Sequence, residues 1–400
     1  MRMKELPADF KRALPVLKEI EQAGYEAYFV GGSVRDHILG LPIHDVDIAT
    51  SAYPEEIKEI FKHTVDTGIQ HGTVTVLFGG SSYEITTFRT ESGYQDYRRP
   101  DEVTFVRSLE DDLKRRDFTI NALALDRNGE VIDKFDGLKD LNNHLIRAVG
   151  KAEERFNEDA LRMMRAVRFQ SQLNFRIEDK TAEAIKSNAH LLEKIAVERT
   201  REEFIKMMLG QAWQIGFSDF LRFKLCEFAP GMREHSTLLH KLIELKPVEF
   251  LDEDSVWVAI GFALKLSDHD LNKLLRVWKV SNKTRETSLA TYEMLELFSN
   301  QNFDIWEIYN LGIDNFERAA KLCQLFSIKM EYDKISKSIE QIPIKSSHDL
   351  AITGNDLIKI LNITPGPEIG KMLKNVEKAV VEENVCNNFD ELKVYVLSNR

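Results

Sequence analysis

The hydrophobic period of this chain changes once, near residue 150, and that change sets what the chain can fold into. Upstream, Tyr25 to Val30, Asp45-Val-Asp-Ile-Ala49, Thr73 to Phe78 and Tyr83 to Phe88 are short and apolar or alternating, as strands are. An amphipathic helix with Leu14, Leu17 and Ile20 precedes them, and 12 of the 20 glycines fall within residues 1–150. Downstream, apolar residues keep a helical spacing to the end. The spacing is interrupted softly at Gly210, Ala229-Pro-Gly231 and Thr364-Pro-Gly-Pro367, with no repeat and no low-complexity tract. The expected fold is α+β, a small mixed sheet at the front and an all-helical remainder.

Charge narrows the function. With 54 basic and 65 acidic residues the net charge is −11, which excludes a diffuse positive field for nucleic acid but not a local basic strip. Residues 1–150 hold 19 basic against 26 acidic side chains, whereas 151–210 hold 12 against 11. A polyanion sits most easily in that middle segment. Cys226, Cys323 and Cys386 have no paired spacing, so a reducing, cytoplasmic setting is expected. The longest strongly apolar run, Val256 to Leu264, is nine residues, and no membrane partner is expected. The acidic residues near the start fit neither a signal nor a transit peptide.

The chemistry begins at Gly31-Gly32-Ser-Val-Arg35-Asp36. A strand ending in Gly-Gly lets backbone amides approach an anion, and a helix starting at Ser33 with Arg35 would complete a triphosphate cradle. Taken alone, Gly-Gly marks a plain strand-to-helix turn more readily than a cradle. Asp45 and Asp47 stand at i and i+2, on one face of a strand. Two such carboxylates repel unless a divalent cation lies between them. Glu84, on a following strand, is either a third carboxylate of this group or an exposed strand residue.

Further on, Glu158 to Phe169 places Leu161, Met164 and Val167 three residues apart, with Arg162, Arg165 and Arg168 beside them. Asp159 and Arg162 are i,i+3 neighbours and would present a joined acceptor and donor edge, with Asn157 as a possible helix cap. Cytosine and adenine both show an amino donor beside a ring-nitrogen acceptor; uracil and guanine show the reverse. One Asp–Arg edge therefore accepts C and A and rejects U and G.

These segments, together with Arg115-Arg-Asp-Phe-Thr-Ile-Asn-Ala122, resemble in order and spacing the class II tRNA nucleotidyltransferases. These are the bacterial-type CCA-adding enzymes of the polymerase-β-like nucleotidyltransferase superfamily. The resemblance covers the whole chain and is strongest to about residue 210. It implies a nucleotidyltransferase head at 1–145, a base-recognising helical neck at 146–212, a helical body at 213–296 and a tRNA-binding tail at 297–400. It also implies template-independent transfer of CMP, CMP and AMP from CTP and ATP to the 3′ end of the tRNA acceptor arm, with no obligate protein partner. Asp45 and Asp47 would hold two Mg2+ ions. Gly32, Arg35, Arg116, Arg165 and Arg168 would bind nucleotide, and Asp117 would contact the ribose hydroxyls.

The same motifs occur in poly(A) polymerases and in enzymes that add only CC or only A. A catalytically inactive RNA-binding protein on the same scaffold is the reading from another class. Two departures stand out: His44 before the first aspartate, and Asp133-Lys-Phe-Asp-Gly137 where the family hinges. The polar stretch Arg89 to Arg99, with a glycine and no period, reads as a mobile loop, which in the family is linked to the change from C to A. Gly366 to Lys371 lacks P-loop spacing and reads as a turn into a helix, His269-Asp270 lacks further metal ligands, and Trp257, Trp278 and Trp306 read as core.

Overall fold

The structure, a computed structural model, describes the chain except for residues 4, 44, 96–98, 302 and 400; elsewhere in 91–102 it describes backbone alone. The chain divides into two compact units, Met1–Ser236 and Thr237–Arg400.

In the first unit, helix α1 (Ala8–Gln22) buries Phe10, Ala13, Val16, Leu17 and Ile20. It lies on a sheet whose strands are β1 (Ala27–Val30), β2 (Asp47–Thr50), β3 (Thr64–Gly68), β4 (Thr73–Phe78) and β5 (Ser81–Thr87). A separate pair, β6 (Arg89–Gln95) and β7 (Arg99–Phe105), interrupts that sheet, which β8 (Leu123–Leu125) and β9 (Val131–Asp133) complete. The seven strands run β3-β4-β5-β2-β1-β8-β9, with β2 and β5 parallel and Asp47 opposite Glu84. Alternation works as the sequence reading expects: Val74 and Val76 of β4, and Tyr83, Ile85 and Thr87 of β5, point inward. Phe10 stacks on Phe29 at 4.6 Å, both without exposed surface. Burying each such ring stabilises the unit by about 2–3 kcal/mol.

Short helices α2 (Gly32–Ile38), α3 (Pro54–Ile60), α4 (Leu109–Lys114) and α5 (Gly137–Asn142) join these strands. The stretch Arg89 to Arg99, expected as an irregular loop, instead begins an antiparallel hairpin in which Arg89 pairs with Phe105 and Gln95 with Arg99. The pair forms a sheet of its own, and Arg-Thr-Glu-Ser-Gly-Tyr-Gln of β6 carries no apolar alternation for a period of two to register. That is why polarity hid the strands.

Helices then take over: α6 (Ala152–Glu158), α7 (Leu161–Leu173), α8 (Asp179–Asn188), α9 (Val197–Met208) and α10 (Trp213–Arg222), with the small pair β10 (Leu145–Ile146) and β11 (Arg176–Ile177). The segment from Glu158 is not one helix. Asp159 has extended φ and ψ and separates α6 from α7, and Asn157 lies in the last turn of α6 instead of capping α7. Asp159 closes the break itself: its Oδ1 accepts from Leu161 N–H at 3.1 Å, an Asx turn that outcompetes the continuous helix.

The second unit is helical: α11 (Ser236–Ile243), α12 (Glu253–Ala263), α13 (Asp268–Val277), α14 (Asn282–Asn300), α15 (Ile305–Asn310), α16 (Phe316–Leu325), α17 (Tyr332–Gln341), α18 (Gly354–Leu361), α19 (Pro367–Val381) and α20 (Phe389–Ser398). Trp257 and Trp278 are fully buried and in contact, and Trp306 belongs to a second cluster with Leu357, Val380 and Leu392. Gly366 caps α19, so Gly366 to Lys371 is a turn into a helix. Among the described residues, no helix is long and apolar enough to cross a membrane.

Candidate active site

The first unit carries a cleft of about 900 Å³. Of the residues singled out above, Gly32, Arg35, Asp45, Asp47, Arg116, Asp117, Asp159, Arg162, Arg165 and Arg168 all line it; Glu84 does not. Segments more than a hundred residues apart thus meet at one place.

One wall holds the carboxylates. Asp47 opens β2 and Asp45 stands two residues before it, outside the strand. Part of Asp47 stays open to solvent, yet the protein packed around it raises its carboxyl above the usual range. Arg116 opposes that rise, and the charges of Glu84 and Asp45 add to it. Glu84 is exposed on β5 and acts on Asp47 from the neighbouring strand. Among the described residues, no group of three or more His, Cys, Asp or Glu side chains is placed to hold a metal. A two-carboxylate wall fits Mg2+ nonetheless, since that ion keeps several waters and takes one or two carboxylates plus substrate phosphates.

The opposite side is cationic. Gly31 has φ +72° at the end of β1, and a Cβ there would lie 2.9 Å from Arg116 Nη1, so only glycine admits the guanidinium this close. Arg35 donates from Nη1 to Asn121 Oδ1 at 2.6 Å and from Nε to Asp36 at 2.8 Å. Asp112, only 1% exposed, accepts from Arg115 Nη2 at 2.8 Å and Arg116 Nη2 at 3.1 Å. Burial works against its ionisation, but these two arginines outweigh it and hold the carboxyl below its usual range. Asp117 behaves likewise: burial would raise it, and Arg165 with Asn121 more than reverses that. Four donors already reach it: Phe118 N–H at 2.8 Å, Asn121 Nδ2 at 3.0 Å, and Arg165 Nε at 2.7 Å and Nη2 at 2.6 Å.

The pair expected to read the base differs from expectation in one respect. Asp159 and Arg162 both face the cleft, but each is anchored separately. Arg199 Nη2 donates to Asp159 Oδ2 at 3.0 Å, while Arg162 bonds Glu158 at 3.0 Å and the Arg115 carbonyl at 2.8 Å. A carboxylate acceptor and a guanidinium donor are therefore held side by side by independent supports, which leaves both edges rigid.

The Poly A polymerase head domain matches residues 27–147, a probable RNA and SrmB binding site of polymerase A matches 174–235, and domain 2 of tRNA nucleotidyltransferases matches 248–395. Over 388 residues the chain is 50% identical to the CCA-adding enzyme of Ligilactobacillus salivarius, covering 97% of this chain and 96% of that one. It belongs to the CCA-adding enzyme family. The CCA-adding enzyme of Enterococcus faecalis is 47% identical over 400 residues, 100% of this chain and 98% of its own. Among solved structures, the Bacillus stearothermophilus CCA-adding enzyme in complex with CTP superposes with a TM-score of 0.89 at 36% identity, covering 98% of each chain. The Thermotoga maritima CCA-adding enzyme complexed with tRNA_CCA shares the fold, with a TM-score of 0.61 at 22% identity over 99% of this chain and 97% of that one.

For a member of the CCA-adding enzyme family the cleft also holds residues that the sequence reading passed over: His71, Arg89, Arg115, Asn121, Phe169 and Arg199. Asn121, Arg115 and Phe169 lie inside the quoted motifs. Arg199 opens an ordinary charged helix turn, and the one sign of it was the non-acidic balance of 151–210. His71 sits before Gly72, whose φ of +81° and missing Cβ let the Phe105 ring close over it.

Proposed function

We propose that this chain adds C, C and A to the 3′ end of tRNA from CTP and ATP, without a nucleic-acid template, and releases pyrophosphate. The observation that carries this reading is the convergence of Asp45 and Asp47, Arg116, and the Asp159–Arg162 pair on one cleft. In each cycle the 3′-hydroxyl oxygen of the tRNA bonds to the α-phosphorus, the bond to the pyrophosphate oxygen breaks, and the hydroxyl proton passes to water. Asp45 and Asp47 would hold Mg2+, which when bound lowers the pKa of that hydroxyl and offsets charge on the triphosphate.

Gly32 backbone, Arg35, Arg116, Arg165 and Arg168 receive the phosphates. Asp159 accepts the amino group of cytosine or adenine, and Arg162 donates to the adjacent ring nitrogen. Asp117, already bonded by four donors, reaches a ribose hydroxyl by exchanging one of them; its standing task is to orient Asn121 and Arg165. Glu84 acts through the charge it places beside Asp47. The head at 1–145 and neck at 146–212 would enclose the nucleotide, while the body at 213–296 and tail at 297–400 grip the acceptor arm by shape and phosphates, in the cytoplasm. Purified protein offered a tRNA that lacks CCA and α-labelled CTP should incorporate label. No incorporation with intact tRNA and Mg2+ would overturn the reading.

A further inference from the structure

Three arginines from two elements meet around one buried ring. Phe169, on α7, is 4% exposed and lines the cleft. The guanidinium carbon of Arg168 lies 4.2 Å from its centroid, that of Arg35 4.9 Å and that of Arg165 5.3 Å. Phe118 meets the ring edge-on at 5.9 Å and fixes its orientation. We propose that Phe169 is a positioning residue for the incoming triphosphate, its ring collecting Arg35 of the Gly-Gly segment and Arg165 and Arg168 of the neck helix into one cationic patch.

The carboxylates nearby do not explain this patch. Asp36 pairs with Arg35, Asp117 with Arg165, and Glu203 with Arg168 at 3.1 Å. They hold the arginines mainly one by one: Glu203 also reaches Arg165 at 4.0 Å, the charge of Asp117 acts on Arg168 as well, Asp117 is linked to Arg35 only through Asn121, and none of the three carboxylates touches all three arginines. Mutual repulsion is real: burial first, then Arg165 and Arg35, bring Arg168 down to about 10 against the pull of Glu203. A shared partner is needed that attracts cations without cancelling their charge. The negative face of an aromatic ring is such a partner, whereas a carboxylate at 169 would neutralise the patch the phosphates require. An aliphatic side chain would fill the same volume but gather nothing.

This rests on the reading of the cleft as the CTP and ATP site, and the test separates the two. The full-length protein is made with Phe169 replaced by 4-fluoro-, 3,5-difluoro- and 3,4,5-trifluorophenylalanine, which keep the ring's shape and progressively weaken its negative face. Phe169→Leu is made alongside. CMP addition to a tRNA lacking CCA is followed against CTP concentration, and each variant's melting temperature is measured. KM for CTP is expected to rise with each fluorine, about tenfold by the trifluoro ring, with kcat within about twofold and the leucine variant beyond the series. A KM that is flat across the series, or that follows melting temperature instead of fluorine number, overturns the role of Phe169 while the parent's activity stands. A parent that adds no CMP overturns the nucleotide site itself, and the proposal with it.

Discussion

Asp117 shows how one residue is fixed by its neighbours. Its carboxyl is held below the usual range by Arg165 and Asn121 despite burial. Because the folded value lies below the unfolded one, its ionised form stabilises the fold above the unfolded carboxylate range, and that gain is lost as pH falls through the folded value. Asp117→Asn should therefore cost about 2 kcal/mol at pH 7, and its gap from the parent should narrow below about pH 4. Urea midpoints at pH 7 and pH 3 check this; an unchanged gap counts against it. Asp45→Ala and Asp47→Ala should each abolish CMP and AMP addition while tRNA binding survives, and both variants keeping more than a few percent of activity would remove them from the chemistry. Asp159→Ala should admit UTP or GTP, or lower CTP and ATP use together; unchanged rates and selectivity would contradict the base-reading role. These side chains were legible because the chemistry demands charged residues at fixed spacings. Arg199 was not, since what makes it matter is Asp159, 40 residues away.

At the scale of elements, local signals worked where apolar residues alternate along a strand and failed where they do not. β4 is legible from its alternation, with Val74 and Val76 buried between outward residues. The β6–β7 hairpin is not, because β6 is polar almost throughout and alternates nothing. Its base is tied to the site: Arg89 donates to the His71 carbonyl, and its own N–H lies 3.4 Å from Asp112, the clamp of Arg115 and Arg116. The stretch Arg89 to Arg99 is the expected lever between C and A addition; its residues 96–98 lie outside the described residues, as does residue 44. Deleting 91–96 should leave both cytidine additions nearly intact and stop the product at CC. Normal AMP addition by that deletion, on a tRNA ending in CC, would refute the lever. The α6–α7 break was hidden for another reason: an Asx turn at Asp159 costs one helical turn but leaves the apolar spacing on either side unchanged.

On the scale of the whole molecule, the change of hydrophobic period near residue 150 located the passage from sheet to helices, because period reflects which face is buried. It said little about boundaries among the helices, where every segment has the same period; the structure's division at Ser236 follows the Ala229-Pro-Gly231 turn, which in the sequence stands out no more than Gly210 or Thr364 to Pro367. The net charge of −11 coexists with a cleft lined by eight arginines and four aspartates, so the binding field is local and buried, not global. The central claim is that this one cleft adds all three nucleotides, in order and without a template. The most direct measurement offers the protein three tRNA transcripts, ending before C74, after C74 and after C75, each with CTP alone, ATP alone or both, and resolves the products on one gel. The account predicts two additions, one and none with CTP alone, AMP addition only after C75, and a single CCA end with both. A ladder of adenosines on every transcript, or a product that halts at CC with ATP present, would contradict it.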